Sequence, residues 1–334
     1  MSDFYDVVIV GAGPAGLSCA KILAGKHLSV LVIDKKEQLG IKACGGGITH
    51  LAGDFELPAD KIRVFRKQTV FLNWLKFTFR LLHPLKTITR TDLSDFQFSE
   101  IVNTPNIKIL FPVKVKEIHK NYLETDQGIL NFKLLVGADG ATSQVRKYLG
   151  LPSRFRAGYF AKVELPNPKF FWYVNPRKMG SAYIWAFPHK GHSNVGIYYN
   201  PATIAPALAK AWLRTFIRKK GGEIQNENIT GGVVNGHYSG CEFGNTFLAG
   251  DAAGLAILSS GEGISAALIS GREVARKILD PNYQMPQLQH VVRVKNRQEK
   301  LHRIYERHPF FQYVFYVIFL LANKSRQFQV WFGN

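Results

Sequence analysis

Val7-Val8-Ile9-Val10-Gly11-Ala12-Gly13-Pro14-Ala15-Gly16-Leu17-Ser18-Cys19-Ala20 decides the fold. An apolar run from Tyr5 to Val10 leads into a glycine turn. A helix-like stretch follows, and a second apolar run, LSVLVID, ends at Asp34. Strand, glycine turn, helix and strand with a terminal acid make a complete βαβ unit of the dinucleotide-binding kind. Each residue type has a mechanical reason. Gly11 permits the tight turn, Gly13 lets the backbone approach a pyrophosphate, and Gly16 lets helix and strand pack closely, with Pro14 and Ala15 completing the motif. The helix N-terminus offers amide donors to phosphate. Asp34 is placed to accept from ribose hydroxyls and would repel a 2′-phosphate, so the site suits FAD or NAD rather than NADP.

The bulk numbers agree with a globular chain: 334 residues, 46% hydrophobic and 20% charged, enough for one or two domains. Cys19, Cys44 and Cys241 are too few and too scattered for a disulfide framework, and no C-x-x-C pair points to zinc, so no metal is expected. The first ten residues carry two acids and run straight into a strand, unlike a signal peptide. A cytoplasmic protein is expected. The 43 Lys and Arg against 24 Asp and Glu, a formal +19, favour an anionic partner, either nucleic acid or an acidic membrane surface.

Beyond the opening unit the pattern breaks and resumes. FLNWLKFTFRLL (71–82) shows partial period-2 alternation, while IKILFPVKVKEI (107–118) and ILNFKLLVGADG (129–140) read as strands. Residues 150–230 are rich in aromatics and turns, suggesting a mainly antiparallel sheet with a helix near 203–220. NTFLAGDAAG (245–254) ends another strand run, and a long helix pattern covers 264–279.

Three separated motifs belong together: GAGPAG at 11–16, VGADGATSQVRKYLG at 136–150 and FLAGDAAG at 247–254. Their order and spacing resemble the FAD-containing fold of aromatic hydroxylases, flavin-dependent halogenases and geranylgeranyl reductases. The resemblance implies an α/β protein. A Rossmann-like FAD-binding domain (1–60, 90–150 and 230–285) would be interrupted by an antiparallel-sheet α+β substrate domain (61–89 and 151–229). C-terminal helices would occupy 286–334. It implies FAD held by the first motif with Asp34 and Lys35, by Asp139 and Gly140 near the pyrophosphate, and by Gly250 and Asp251 at the ribityl and pyrophosphate region. Arg90 is similar to the arginine that opens a helix and helps hold FAD in this superfamily. Gly261 and Gly263, ahead of Ile264, leave a helix N-terminus open beside the flavin, where its dipole would stabilise negative charge. Glu262 between them reads as a solvated first-turn acid.

Two motifs bear on the reaction. Tyr183-Ile184-Trp185-Ala186-Phe187-Pro188 resembles the Y-x-W-x-F-P pattern of geranylgeranyl reductases. Alternation puts Tyr183, Trp185 and Phe187 on one face as an apolar wall for an alkene chain, and Pro188 is counted with them at the substrate site. Lys42-Ala43-Cys44-Gly45-Gly46-Gly47-Ile48 is similar to the K-x-C-G segment of the same reductases. Gly45, Gly46 and Gly47 would let main-chain atoms reach the flavin edge. Cys44 would face the wall across the substrate, as lining or as a catalytic proton donor. The expected reaction is reduction of C=C bonds in an isoprenoid or lipid-like substrate by hydride from reduced flavin. No second G-x-G-x-x-G is present, so NAD(P)H or another electron donor would dock transiently.

Competing readings are a flavin monooxygenase or halogenase on the same fold, a tRNA-associated flavoprotein suggested only by the charge, and a non-catalytic FAD-binding scaffold. The basic residues favour a membrane over nucleic acid, because they cluster beside an apolar tail. Six Lys or Arg lie between 290 and 308, followed by FFQYVFYVIFLLA (310–322). Thirteen helical residues reach about 20 Å, short of the roughly 30 Å hydrocarbon core. The tail therefore reads as a peripheral, surface-lying helix, docked on one face and lipid-facing on the other.

Overall fold

Val7, Val8 and Ile9 are fully buried because strand β1 (Asp3–Val10) has parallel neighbours on both sides. An apolar run without alternation is what such a position demands. The computed structural model describes residues 3–53, 55–224, 228–307 and 309–332. Residues 1–2, 54, 225–227, 308 and 333–334, which the sequence reading also assigned to its domains, lie outside the described residues.

After β1 come α1 (Pro14–Leu23), β2 (Val30–Ile33), the short β3 (Gly47–Ile48) and a long hairpin of β4 (Arg63–Leu72) and β5 (Leu75–Thr87). Helix α2 (Arg90–Ser99) and β6 (Ile107–Leu110) return the chain to the first sheet, where β7 (Val115–Ile118), β8 (Tyr122–Thr125) and β9 (Gly128–Gly137) precede α3 (Gln144–Tyr148). The aromatic region forms β10 (Phe155–Val163), β11 (Phe171–Val174), α4 (Pro176–Met179), β12 (Tyr183–Pro188), β13 (Ser193–Tyr199), α5 (Pro206–Lys219) and β14 (Thr230–Asn235). The chain ends with β15 (Glu242–Phe243), β16 (Thr246–Leu248), α6 (Ile264–Leu279), α7 (Pro286–Arg307), α8 (Pro309–Ala322) and α9 (Arg326–Phe332).

Two sheets result. The first has the order β15-β16-β9-β1-β2-β6, extended by the β7–β8 hairpin, and the second the order β14-β10-β13-β12-β11-β4-β5-β3. The α/β class, the two sheets and the C-terminal helices agree with the sequence expectation. The second sheet departs from it in two ways. β11 pairs with β4 in parallel, with Phe171 beside Thr69. β3 and β14 also hydrogen-bond into this sheet, so it draws strands from outside 61–89 and 151–229. Both are edge strands, which one neighbour specifies and composition does not reveal.

Helix α1 shows why the opening motif is so constrained. A Cβ on Gly16 would lie 1.9 Å from the Gly11 carbonyl oxygen, so any side chain there would push the helix off its strand. Pro14 takes the first helical turn and no side chain caps it, which leaves the early amides directed outward. Helix α6 likewise starts at Gly263 without a side-chain cap.

Candidate functional site

One cavity of about 340 Å³ runs between the two sheets. Its wall includes Gly11, Gly13, Pro14, Ala15, Asp34 and Lys35 from the opening unit, Cys44 to Gly47, Arg90, Asp139, Gly140, Gly250 and Asp251. Gly261, Gly263, Ile264, Tyr183, Trp185 and Phe187 complete the part read from sequence. Two predicted residues fall outside. Gly16 packs against Gly11 behind the cavity. Pro188 belongs to the sheet, where its carbonyl accepts from the Thr87 hydroxyl at 2.7 Å.

At the dinucleotide end, Asp34 turns one carboxylate oxygen to the Ala12 N–H at 2.9 Å and the other to the Lys36 N–H at 3.0 Å. It thereby fixes the turn as well as lining the cavity. Asp139 accepts from the Gln144 N–H at 2.7 Å and so holds the start of α3; its other oxygen is buried without a partner among the described residues. Gly140, at φ +83° with open space where a Cβ would stand, gives the backbone access to a ligand. The Arg90 Nε is buried without a partner among the described residues. Burial lowers the Arg90 pKa, while Cys44 and Asp251 pull it up. Lys42, the first residue of the K-x-C-G segment, to which the sequence gives no role, crosses to Asp251 at 2.8 Å.

These features fit FAD. Uncapped helix N-termini, a glycine cradle and an arginine with an unmet donor suit a pyrophosphate, and Asp34 suits a ribose.

At the other end, the glycine run has a steric cause different from the expected one. A Cβ on Gly45 would lie 3.0 Å from Trp185 Nε1 and 3.0 Å from the Phe187 ring, and one on Gly46 would lie 2.3 Å from the Ile88 carbonyl oxygen. The loop therefore packs directly against the aromatic strand at Gly45 and Gly47 while still lining the cavity. His189, 2% exposed, lies 2.9 Å from the Gly45 oxygen through Nε2. The Asn194 amide donates to the Cys44 oxygen at 3.2 Å. Cys44 Sγ accepts from the Gly46 N–H at 3.3 Å and packs against the cluster that contains Ile48, Ile88 and Leu93.

The aromatic wall is wider than YIWAFP. Trp172 pairs with Trp185 across β11 and β12, and Phe170 stacks on Phe187 at 4.4 Å and 4°. Trp185 lies over Gly196, where a Cβ would stand 2.2 Å from Cζ2. Gly196→Ala is therefore expected to displace the indole and lower stability by about 1–3 kcal/mol. Near-UV circular dichroism and an unfolding curve check this; wild-type signals in both would refute it. KFFWYVNP shows its aromatics in sequence, but which face they share follows only from the strand order.

Glu262 is not a solvated acid. It faces the cavity, and the Thr49 hydroxyl donates to its Oε1. Thr49 Oγ1 in turn lies 3.2 Å from Ser265 Oγ. Burial raises the Glu262 pKa, opposed by the Thr49 and Ser265 hydroxyls.

Comparison with known proteins agrees with this geometry. The Thi4 family matches residues 3–65. An uncharacterized protein of Methanosarcina barkeri is 30% identical over 82% of this chain and 74% of its own length. Protein CbrA of Escherichia coli O157:H7 is 30% identical over 83% and 84%. The chloroplastic geranylgeranyl diphosphate reductase of Oryza sativa is 28% identical over 82% and 66%. Among solved structures, a geranylgeranyl bacteriochlorophyll reductase-like protein from Thermoplasma acidophilum superposes with a TM-score of 0.74 at 21% identity, covering 94% of this chain and 87% of its own. The flavin-dependent brominase Bmp2 superposes at 0.68 and 19% identity, covering 93% and 89%. Fold and cradle together are those of a flavin-dependent oxidoreductase. The chain belongs to the FAD-dependent geranylgeranyl-reductase-like family.

Proposed function

We propose that the chain saturates C=C bonds of an isoprenoid or lipid-like substrate. The observation that carries this reading is the wall of Phe170, Trp172, Trp185 and Phe187, an aromatic surface reached from the same cavity as the FAD cradle. Such a surface binds an unsaturated chain by area rather than by charge and keeps water away from the reacting carbons. FAD, when bound and reduced, supplies hydride. Cys44 lines the same space, and NAD(P)H or another donor reduces the cofactor transiently. The relative named as a geranylgeranyl diphosphate reductase supports the substrate class.

A membrane surface is the proposed source of that substrate. Helix α8 packs inward through Tyr313, Tyr316, Val317 and Leu320 on Leu72, Val174 and the Tyr183 side of the wall. Outward it exposes Val314, Ile318 (61%) and Leu321. Trp74, 83% exposed, sits at the β4–β5 tip beside Leu72. With a formal +19 charge, this face fits an anionic bilayer rather than nucleic acid. No helix among the described residues is long and apolar enough to cross a membrane.

The test is anaerobic mixing of dithionite-reduced holoenzyme with geranylgeranyl diphosphate, free or in phosphatidylserine vesicles. Flavin reoxidation with two hydrogens added per double bond is expected, as is co-sedimentation with those vesicles that Trp74→Glu with Ile318→Glu abolishes. Oxygenation or halogenation of a substrate in air, with no alkene reduction, would instead make the protein an oxygen-using relative. Vesicle-independent turnover with no co-sedimentation would remove the membrane from the reading.

A further inference from the structure

We propose that Glu262 is the acid that supplies the second hydrogen of this reduction, protonating the alkene carbon that does not receive hydride. The inference rests on the reductase reading above. Saturating an isolated double bond needs two different deliveries. The alkene π pair forms a C–H bond to the Glu262 proton as the O–H bond breaks and leaves a carboxylate. The other carbon takes the hydride that the reduced cofactor supplies, and water later returns the proton to Glu262. Atoms and charge then balance with no further reactant.

The geometry singles out Glu262 among the protic groups of the cavity. Tyr183 and Tyr198 have already committed their hydroxyl protons, to the carbonyls of Ser260 and Leu258 respectively. Cys44 turns its sulfur back to the Gly46 amide and packs among aliphatic side chains. Glu262 instead stands where three segments meet: the strand that follows the Cys44 loop, through Thr49; the start of α6, through Ser265; and the end of the aromatic wall. The third junction is visible at Gly261, where a Cβ would come within 3.3 Å of the Tyr183 hydroxyl.

The local hydrogen bonds orient the side chain. Thr49 donates to Oε1, and Ser265 Oγ is within reach of Thr49 Oγ1 at 3.2 Å. The Thr49 and Ser265 hydroxyls therefore hold the carboxyl in place at the edge of the cavity. Burial beside an apolar wall shifts this carboxyl towards its neutral form, against the pull of the Thr49 and Ser265 hydroxyls, because a carboxylate loses its hydration there. A neutral acid beside an alkene is a proton donor, and its Thr49 bond fixes where the proton points.

The experiment compares wild type, Glu262→Gln and Glu262→Asp as FAD-loaded holoenzymes. In the infrared spectrum at neutral pH, a protonated-carboxyl C=O band is expected in wild type and is expected to vanish in Glu262→Gln. In anaerobic single turnover with geranylgeranyl diphosphate, Glu262→Gln is expected to slow reoxidation about 10²-fold or more, with Glu262→Asp recovering part of the loss. FAD content is measured on the same samples. Reoxidation by Glu262→Gln within about threefold of wild type overturns the role, being far below the loss expected of a general acid. Absence of the carboxyl band or loss of FAD in Glu262→Gln also overturns it, the latter by making Glu262 part of the cofactor cradle. Failure of wild type to reoxidise is a different result: it overturns the reductase reading itself and this role with it.

Discussion

Replacing Arg146 with Ala is expected to lower the unfolding free energy by about 3–5 kcal/mol and to weaken FAD retention with it. Arg146 is 1% exposed. Its guanidinium donates to the Pro152 oxygen at 2.9 Å, the Ala252 oxygen at 3.0 Å, the His237 oxygen at 2.6 Å and Ser239 Oγ at 3.2 Å. Truncation would leave the buried Ala252 oxygen unmet, at a penalty of about 1–3 kcal/mol, and would remove the bonds that tie in the more exposed Pro152, His237 and Ser239. The position also explains the effect on the cofactor. Arg146 starts in the middle glycine-acid motif and ends on Ala252 of the third, so it ties together two of the three motif segments that line the cavity. Arg146→Lys should recover less than half of the loss, because one ammonium cannot reproduce a planar fork over separate carbonyls. Urea unfolding at neutral pH measures both variants; a loss below about 1 kcal/mol, no more than one ordinary hydrogen bond is worth, would show that the network does not hold the motifs together.

The second large effect is on pH. Burial lowers the His189 pKa from 6.5 to about 4, against the opposing hydrogen bond to Gly45. The folded protein therefore keeps this imidazole neutral where the unfolded chain would protonate it. The stability from this site is whole above pH 6.5 and is lost progressively as pH falls from 6.5 towards 4; below 4 both states are protonated and nothing more is lost. A shift of this size is worth about 3 kcal/mol. His50, lowered to about 4 by burial beside His83, adds a loss of the same sign in the same window. In His189→Gln the fall in unfolding free energy between pH 7 and pH 4 should shrink by about 3 kcal/mol relative to wild type. An unchanged fall would mean that His189 titrates normally.

The legible and illegible parts of this protein separate by the range of the interaction. The glycine motif at 11–16 is readable because its constraints act between neighbours in the chain: Gly16 meets Gly11, and Asp34 meets Ala12 within one βαβ unit. The placing of Tyr183, Trp185 and Phe187 together needs only the period of a strand. The packing of the Cys44 loop is not legible, because sequence does not show that Trp185 and Phe187 press on Gly45 and Gly47. Pro188 was grouped with its motif, although the strand carries it to Thr87 and away from the cavity.

Composition, periodicity and three short motifs determine by themselves an α/β protein built to hold a dinucleotide, because those signals arise from residues a turn or a strand apart. The tertiary structure alone decided which side chains meet around the cavity. It brought Glu262 to Thr49, Lys42 to Asp251 and Trp185 over Gly196. These contacts join segments whose side chains have no shared period, and only the order of strands in the second sheet and the docking of α6 against β3 bring them within bonding distance.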